Sequence, residues 1–470
     1  MMNNLIVCKF GGTSTATRER LEKVKAIVRD DDNRKYVVVS APGARSSGDT
    51  KVTKLLKDLY GMRKAWTGAE SVQTHIGLIA GRYDELYGGS GRQVAEDLER
   101  RFEQKFNGLS AEALADDAYW ANLLSAGEYW QARLFAEDLG GEFVDASDVI
   151  KITGSLRNAR VLPETYQRLA GLGDNSLGIN HSKVRVIPGF YGATLDGIIG
   201  LLNDGGSDRT GSEIAVGVRA AVYENYSDSP VFAASPKLVE NPRVIKIMTR
   251  EELRDLSYSG FEIFQQEAIL PLEGTPITLH IRSTENYPEE GTKVVEDRVS
   301  DLQKSITGIA YKKNFCAFSV EAPGVNEEVG LLYHILGVFY DRKISVEFTS
   351  SGVDDISVIL GQEGVNSSVP EIKKEIKEAV LKHYQSGDYI SPLAEKMQIE
   401  FTENLGCLVV AGKGLKRNQH VAAEVAEALS EANIEVVAES KGVKRRCFIY
   451  AILMEDGPRA VNTIYDRFIR

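Results

Sequence analysis

The chain has 470 residues, too many for one hydrophobic core, so roughly two to four domains of about 100–200 residues are expected. Its 43% hydrophobic and 26% charged residues are ordinary proportions for a globular protein. A net charge of −11 argues against nucleic acid as a main partner, because a phosphate backbone needs a basic face and the sequence carries no basic patch.

Short, β-branched apolar runs alternate with helical patterns through the first 300 residues. LIVCKF (5–10), YVVVSA (36–41), VRVIPGF (184–190), GIIGLL (197–202) and ITLHI (277–281) read as buried strands of a largely parallel α/β sheet. Ligands then gather at the carboxyl ends of the strands. The apolar run near the N-terminus is too short for a signal peptide or a membrane span, so a cytoplasmic protein is expected. Between Asp49 and Gly140 lies a long helical region, interrupted at GGSG (88–91), that suits a cover over the sheet. Its stretch LLSAGEYWQARLFAEDLG (123–140) has Glu128 near the start. That carboxylate reads either as a complement to the helix dipole or as a partner for a substrate ammonium.

Two glycine-rich loops follow strands. VCKFGGTST (7–15) runs from a strand into Gly11-Gly12-Thr13-Ser14, and LLNDGGSDRTG (201–211) into Gly205-Gly206-Ser207-Asp208. Glycines let a backbone approach phosphate, hydroxyls add donors, and Lys9 offers an ammonium for charge on a transferred phosphoryl group. The lysine precedes the glycines, so the first loop is not a Walker A motif.

After about residue 302 an internal repeat appears. Phe318 and Val320 correspond to Leu408 and Val410, and Ile344 and Val346 to Ile434 and Val436, each pair 90 residues apart. The amphipathic stretches 331–343 and 421–433 match, and ISVIL (356–360) and CFIYAIL (447–453) supply later strands. Two β-α-β-β units packed as a pair are expected. Cys8, Cys316, Cys407 and Cys447 sit far apart in apolar runs and read as buried thiols. With the six histidines also scattered, no transition-metal site is expected.

Taken in order, Lys9-Phe10-Gly11-Gly12-Thr13-Ser14, Ser40-Ala41, Ser125-x-Gly127-Glu128, Pro188-Gly189-Phe190 and Gly205-Gly206-Ser207-Asp208, followed by the duplicated tail, resemble the aspartate kinases of the amino-acid kinase superfamily. The resemblance covers nearly the whole chain. It implies an α/β amino-acid-kinase sandwich with a largely parallel central sheet over residues 1–302. Two C-terminal α+β ACT units of ferredoxin-like form would occupy 303–392 and 393–470. The implied reaction transfers the γ-phosphoryl of ATP to the β-carboxylate of L-aspartate, giving 4-phospho-L-aspartate at the head of the aspartate-family pathway that includes lysine biosynthesis.

By the same resemblance Lys9 and Asp208 are catalytic, while Gly11, Gly12, Thr13, Ser14, Ser207, Ser227, Asp228, Phe232 and Lys237 meet phosphate or nucleotide. Ser40, Thr53, Glu128 and the position of Asp204 face the amino-acid substrate, while Arg209, next to Asp208, reads either as a guanidinium that swings in towards the substrate or as a solvent-facing residue at a helix start. Val329, Gly330, Leu331, Ser345, Val346 and Glu347 match the place where the family holds a lysine or threonine effector, and a homodimer or homotetramer is implied. Mg²⁺ is expected to arrive with ATP, because an acidic chain needs a cation to meet triphosphate.

The match breaks in places. The family's Leu-Gly-Arg-Gly-Gly-Ser-Asp loop has Asn203 and Asp204 where its Gly-Arg stands, which replaces a guanidinium that grips a substrate carboxylate with a carboxylate. Tyr226-Ser227-Asp228 stands for Trp-Thr-Asp, Ser235-Pro236-Lys237 for Asp-Pro-Arg, and Glu262 for a lysine. Two alternatives therefore accompany the leading reading: a kinase of this fold for another amino acid or amine-bearing carboxylate, and a catalytically weak amino-acid-sensing subunit.

Overall fold

A computed structural model describes the chain except residues 1–3, 66–67, 107–111, 173–182, 204, 259–263, 265, 300–304, 323–328, 387–388, 391–395, 419 and 443–445. It divides into two compact units. The first comprises Met1–Val231, Val244–Arg250 and Glu262–Arg298, and the second Phe232–Arg243, Glu251–Phe261 and Val299–Arg470.

The strands of the first unit are β1 (Ile6–Phe10), β2 (Arg34–Val39), β3 (Glu142–Phe143), β4 (Ile152–Ser155), β5 (Asn158–Val161), β6 (Arg185–Pro188), β7 (Tyr191–Ala193), β8 (Ile199–Leu201), β9 (Val222–Ser227), β10 (Ile247–Thr249), β11 (Thr278–Ser283) and β12 (Thr292–Val295). Eight of them form one sheet in the order β10-β12-β11-β9-β1-β2-β6-β3. All its pairs are parallel except β11–β12. The helices up to residue 217 are α1 (Arg18–Arg29), α2 (Val52–Ala65), α3 (Ala69–Tyr87), α4 (Gly91–Glu103), α5 (Glu112–Leu139), the short α6 (Ala146–Val149) and α7 (Glu164–Leu172), and α8 (Gly206–Gly217). One sheet face packs Cys8, Phe10, Val37 and Val39 against Leu21 and Val24 of α1 and Ala132 and Phe135 of α5.

One expected element changes place, and one strand was not expected. GIIGLL contributes β8, but β8 pairs antiparallel with β7 outside the main sheet. The cause is the turn after β6, where Phe190 takes a left-handed φ of 76° and leads the chain off the sheet. The sheet's centre instead holds β9, VYENYS, whose polar residues conceal a strand. Glu224 is buried there between Arg34, with Nε at 2.8 Å, and Arg282, with Nη1 at 3.0 Å. Burial alone would raise its pKa, but the two guanidiniums prevail and lower it.

The second unit carries β13 (Gly308–Glu321), β14 (Val346–Ser351), β15 (Asp355–Gly361), a two-residue pair β16 (Gln385–Ser386) and β17 (Tyr389–Ile390), β18 (Gln398–Ala411), β19 (Val436–Ser440) and β20 (Cys447–Leu453). Its main sheet is antiparallel, in the order β14-β15-β13-β18-β20-β19. The repeat is visible in this order, since β13 and β18 lie side by side and each repeat extends outward from its own first strand. Phe318, Val320, Leu408 and Val410 are all fully buried. The helices Leu331–Asp341 and His420–Glu431 follow the matched stretches. Each repeat also ends in a further helix, Val369–Tyr384 and Gly457–Phe468, so the plan is β-α-β-β-α. The four cysteines are free thiols in strands, with Cys447 half-buried and the others buried. Among the described residues no helix is long and apolar enough to cross a membrane.

Candidate active site

Lys9 lies on β1 and its parallel register partner on β9 is Asn225, so both side chains leave the sheet on the same side. Asp208, in the first turn of α8, meets them there. Lys9 Nζ is 2.5 Å from Asp208 Oδ1, and Asn225 Nδ2 donates to the same oxygen at 2.8 Å. Tyr223 donates its hydroxyl to the Asp208 backbone carbonyl at 3.0 Å, which ties the start of α8 to the sheet. Lys9 and Asp208 are each only 8% exposed, so the pair is largely withdrawn from water.

Around this pair the backbone approaches itself closely. A Cβ on Gly12 would lie 2.7 Å from the Ala41 carbonyl, and one on Gly43 would lie 2.6 Å from the Gly12 carbonyl carbon. The loops leaving β1 and β2 therefore touch backbone to backbone, which side chains would prevent. Gly205 precedes α8 with φ 82°, and Gly189 leaves no room for a Cβ beside Ser207. The N-terminus of α8 thus opens beside Lys9, and its dipole favours an anion there.

These groups wall a cavity of about 430 Å³, which Gly12, Thr13, Ser40, Thr53, Glu128, Ser207 and Asp208 all line with Lys9. Glu128 sits in the middle of α5, not near a helix start, so the dipole role does not apply to it; that effect fades beyond the terminal turn. It is 4% exposed, and burial raises its carboxyl from the ordinary 4.5 to about 7, against a partial offset from the Ala41 backbone hydrogen bond. Its Oε2 has no hydrogen-bond partner among the described residues. A buried carboxylate with a spare acceptor facing a cavity suits a ligand cation.

Other expected residues lie elsewhere. Gly11 is half-buried beside Lys9 Nζ, and its N–H donates to the Tyr226 carbonyl at 3.3 Å. Ser14 is buried and hydrogen-bonded to Thr284 at 2.7 Å, away from the cavity wall. Arg209 does not swing towards Lys9. Its Nε meets the buried Glu213 at 2.6 Å and its Nη1 the Glu267 carbonyl at 2.8 Å, and it lines a neighbouring cavity of about 920 Å³ that shares Gly205 and Gly206 with the first. Ser227, at the end of β9, bonds the Ser229 carbonyl, and Asp228 beside it is exposed. Phe232 and Lys237 belong to the second unit, the former half-buried and the latter exposed. In that unit Val329 and Gly330 are exposed ahead of the buried Leu331. Ser345 is exposed, and Val346 and Glu347 are half-buried on β14. Asp204 and Glu262 lie outside the described residues.

The sequence reading missed several residues of this site. Asn225 was concealed with its strand. Gly43 carries no local signal, because its role is contact with a distant loop. Lys51, Lys54 and Lys57 also line the cavity, and their three-residue spacing around Thr53 in KVTKLLK was the available clue.

Residues 4–283 match the sequence model of the amino acid kinase family. The chain is 31% identical to aspartokinase 3 of Bacillus subtilis (strain 168), covering 98% of each. It is 25% identical to the chloroplastic bifunctional aspartokinase/homoserine dehydrogenase 2 of Arabidopsis thaliana, and there spans 98% of itself but only 50% of that longer protein. Among solved structures it resembles the aspartate kinase of Clostridium acetobutylicum, with a TM-score of 0.80 and 31% identity over 99% of this chain and 100% of that one. It shares its fold with E. coli aspartokinase III in complex with aspartate and ADP, with a TM-score of 0.75 and 19% identity over 99% and 100% of the two chains.

Proposed function

This chain belongs to the amino acid kinase family, among its aspartokinases, and from that premise we propose that it phosphorylates the β-carboxylate of L-aspartate with ATP. The observation that carries the reading is the Lys9–Asp208 pair held with Glu128 in one cavity, between two glycine loops and the N-terminus of a helix. A β-carboxylate oxygen bonds to the γ-phosphorus as the bond to the bridging oxygen of ADP breaks, so the products are 4-phospho-L-aspartate and ADP. No proton need move, because the acceptor is already a carboxylate. The work left to the protein is positioning and charge stabilisation.

Lys9 supplies the positive charge for the transferred phosphoryl oxygens, and Asp208, itself held by Asn225, keeps it in place. Glu128 receives the ammonium of aspartate, and the close approach of Gly12 to Gly43 keeps the phosphate side of the cavity lined by backbone. Among the described residues no three carboxylate, histidine or cysteine groups converge on a metal site. Asp208, in the cavity wall beside Lys9, is the residue that would face a Mg²⁺ brought in on the triphosphate oxygens. When bound, that ion neutralises phosphate charge.

Feedback by lysine or threonine at the start of helix Leu331–Asp341 and on β14, a kinase domain over 1–302, ACT units over 303–392 and 393–470, assembly as a homodimer or homotetramer, and a cytoplasmic location complete the proposal. The antiparallel repeat supports the ACT reading. A sensing subunit without catalysis is not favoured, since the Lys9–Asp208 pair is assembled. ADP release, measured by a coupled assay over a panel of amino acids with Lys9→Ala as control, tests the reading. Aspartate should be the preferred acceptor and the control inactive. Turnover of another amino acid without aspartate would overturn it.

A further inference from the structure

Glu128 presents an unpartnered, buried oxygen in the wall of the Lys9 cavity, which calls for a cation on the ligand. The same cavity also has a basic wall. Lys51, Lys54 and Lys57 stand at three-residue steps at the start of α2, and all three line it.

That wall is fixed directly beside Glu128. The Val52 N–H donates to the Pro42 carbonyl at 3.1 Å. A Cβ on Gly127 would lie 3.1 Å from Leu56 Cδ1 and 3.7 Å from Val52 Cγ1, so α2 rests on the residue next to Glu128 with nothing between. The charges on this side are not equivalent. Lys9 is committed to Asp208 and Lys54 to Asp58. Lys51 and Lys57 make no ion pair among the described residues. The positive end of α2 adds to their field.

A ligand that satisfies both features carries an ammonium for Glu128 and a carboxylate for the lysines, in addition to the carboxylate that reacts near Lys9. We propose that Lys51 and Lys57 hold the carboxylate of the acceptor that is not phosphorylated, and so select amino dicarboxylates over monocarboxylates. The proposal rests on the aspartate-kinase reading above and names two specificity residues for it. It also provides positive charge for the acceptor in a chain that has Asp204 in its glycine loop.

Steady-state kinetics on the full chain test it with Lys51→Met, Lys57→Met and the double variant. The acceptors are L-aspartate and L-aspartate α-amide, in which a neutral carboxamide replaces the spare carboxylate. Each substitution should raise the KM for aspartate about tenfold, the low end for a charge-assisted contact open to solvent. The KM for ATP should not move. The wild-type preference for aspartate over the α-amide should shrink by the same factor, because the amide never engages the lysines. Equal losses on both acceptors, a rise in the KM for ATP instead, or an unchanged KM for aspartate would each overturn the lysine assignment while leaving the kinase reading intact. A wild type that releases no ADP with aspartate removes both.

Discussion

Glu128 makes aspartate binding a proton-linked event. Free, its carboxyl titrates at about 7 because burial disfavours the charged form. An ammonium can pair only with the carboxylate, so binding at pH 7 expels about half a proton on average. The ionised fraction is roughly 9% at pH 6, 50% at pH 7 and 91% at pH 8, so kcat/KM for aspartate should climb about tenfold between pH 6 and 8, about 5.5-fold up to pH 7 and about 1.8-fold beyond it. The same shift acts on the unliganded fold. The native state holds the proton between 4.5 and 7 while the unfolded chain has lost it, so stability falls as pH rises through that window. The shift is worth roughly 3 kcal/mol in total. Saturating aspartate should recover part of that stability above pH 7. Isothermal titration in buffers of different ionisation enthalpy counts the released proton, and pH profiles of wild type and Glu128→Gln isolate the residue. A flat wild-type profile from pH 6 to 8, or the same rise in Glu128→Gln, would refute the assignment.

Asn225→Ala removes one of the two donors on Asp208 Oδ1 and should lower kcat about 10-fold with little change in urea midpoint, since the ion pair to Lys9 remains. Gly12→Ala drives a methyl to 2.7 Å from the Ala41 carbonyl and should raise the KM for ATP more than that for aspartate, as the loops part on the phosphate side; equal changes in both would count against that placement. Glu224→Ala leaves Arg34 and Arg282 buried without their shared carboxylate and should cost about 3–5 kcal/mol in denaturant unfolding, far more than its distance from the chemistry would suggest.

The features legible in the sequence were local ones. The glycine loops, Lys9, Asp208 and the apolar strands β1, β2, β6 and β11 were legible because burial on both faces of a parallel sheet leaves a continuous apolar signature, and because phosphate loops need glycines at strand ends. The tail's repeat was legible for the same reason, since each copy must bury the same stripe. The tertiary structure decided what depends on distant partners. The central strand β9 is polar in sequence because its Glu224 is neutralised by arginines from β2 and β11, and Asn225 becomes a site residue only through its register with Lys9. Arg209 carries a charge that composition cannot aim, and Glu213 draws it away from the cavity. Glu128 acquires its shifted titration and spare oxygen from burial in the middle of a 28-residue helix, an environment made by α2 and the loop at Ala41 and not by its own neighbours in the chain.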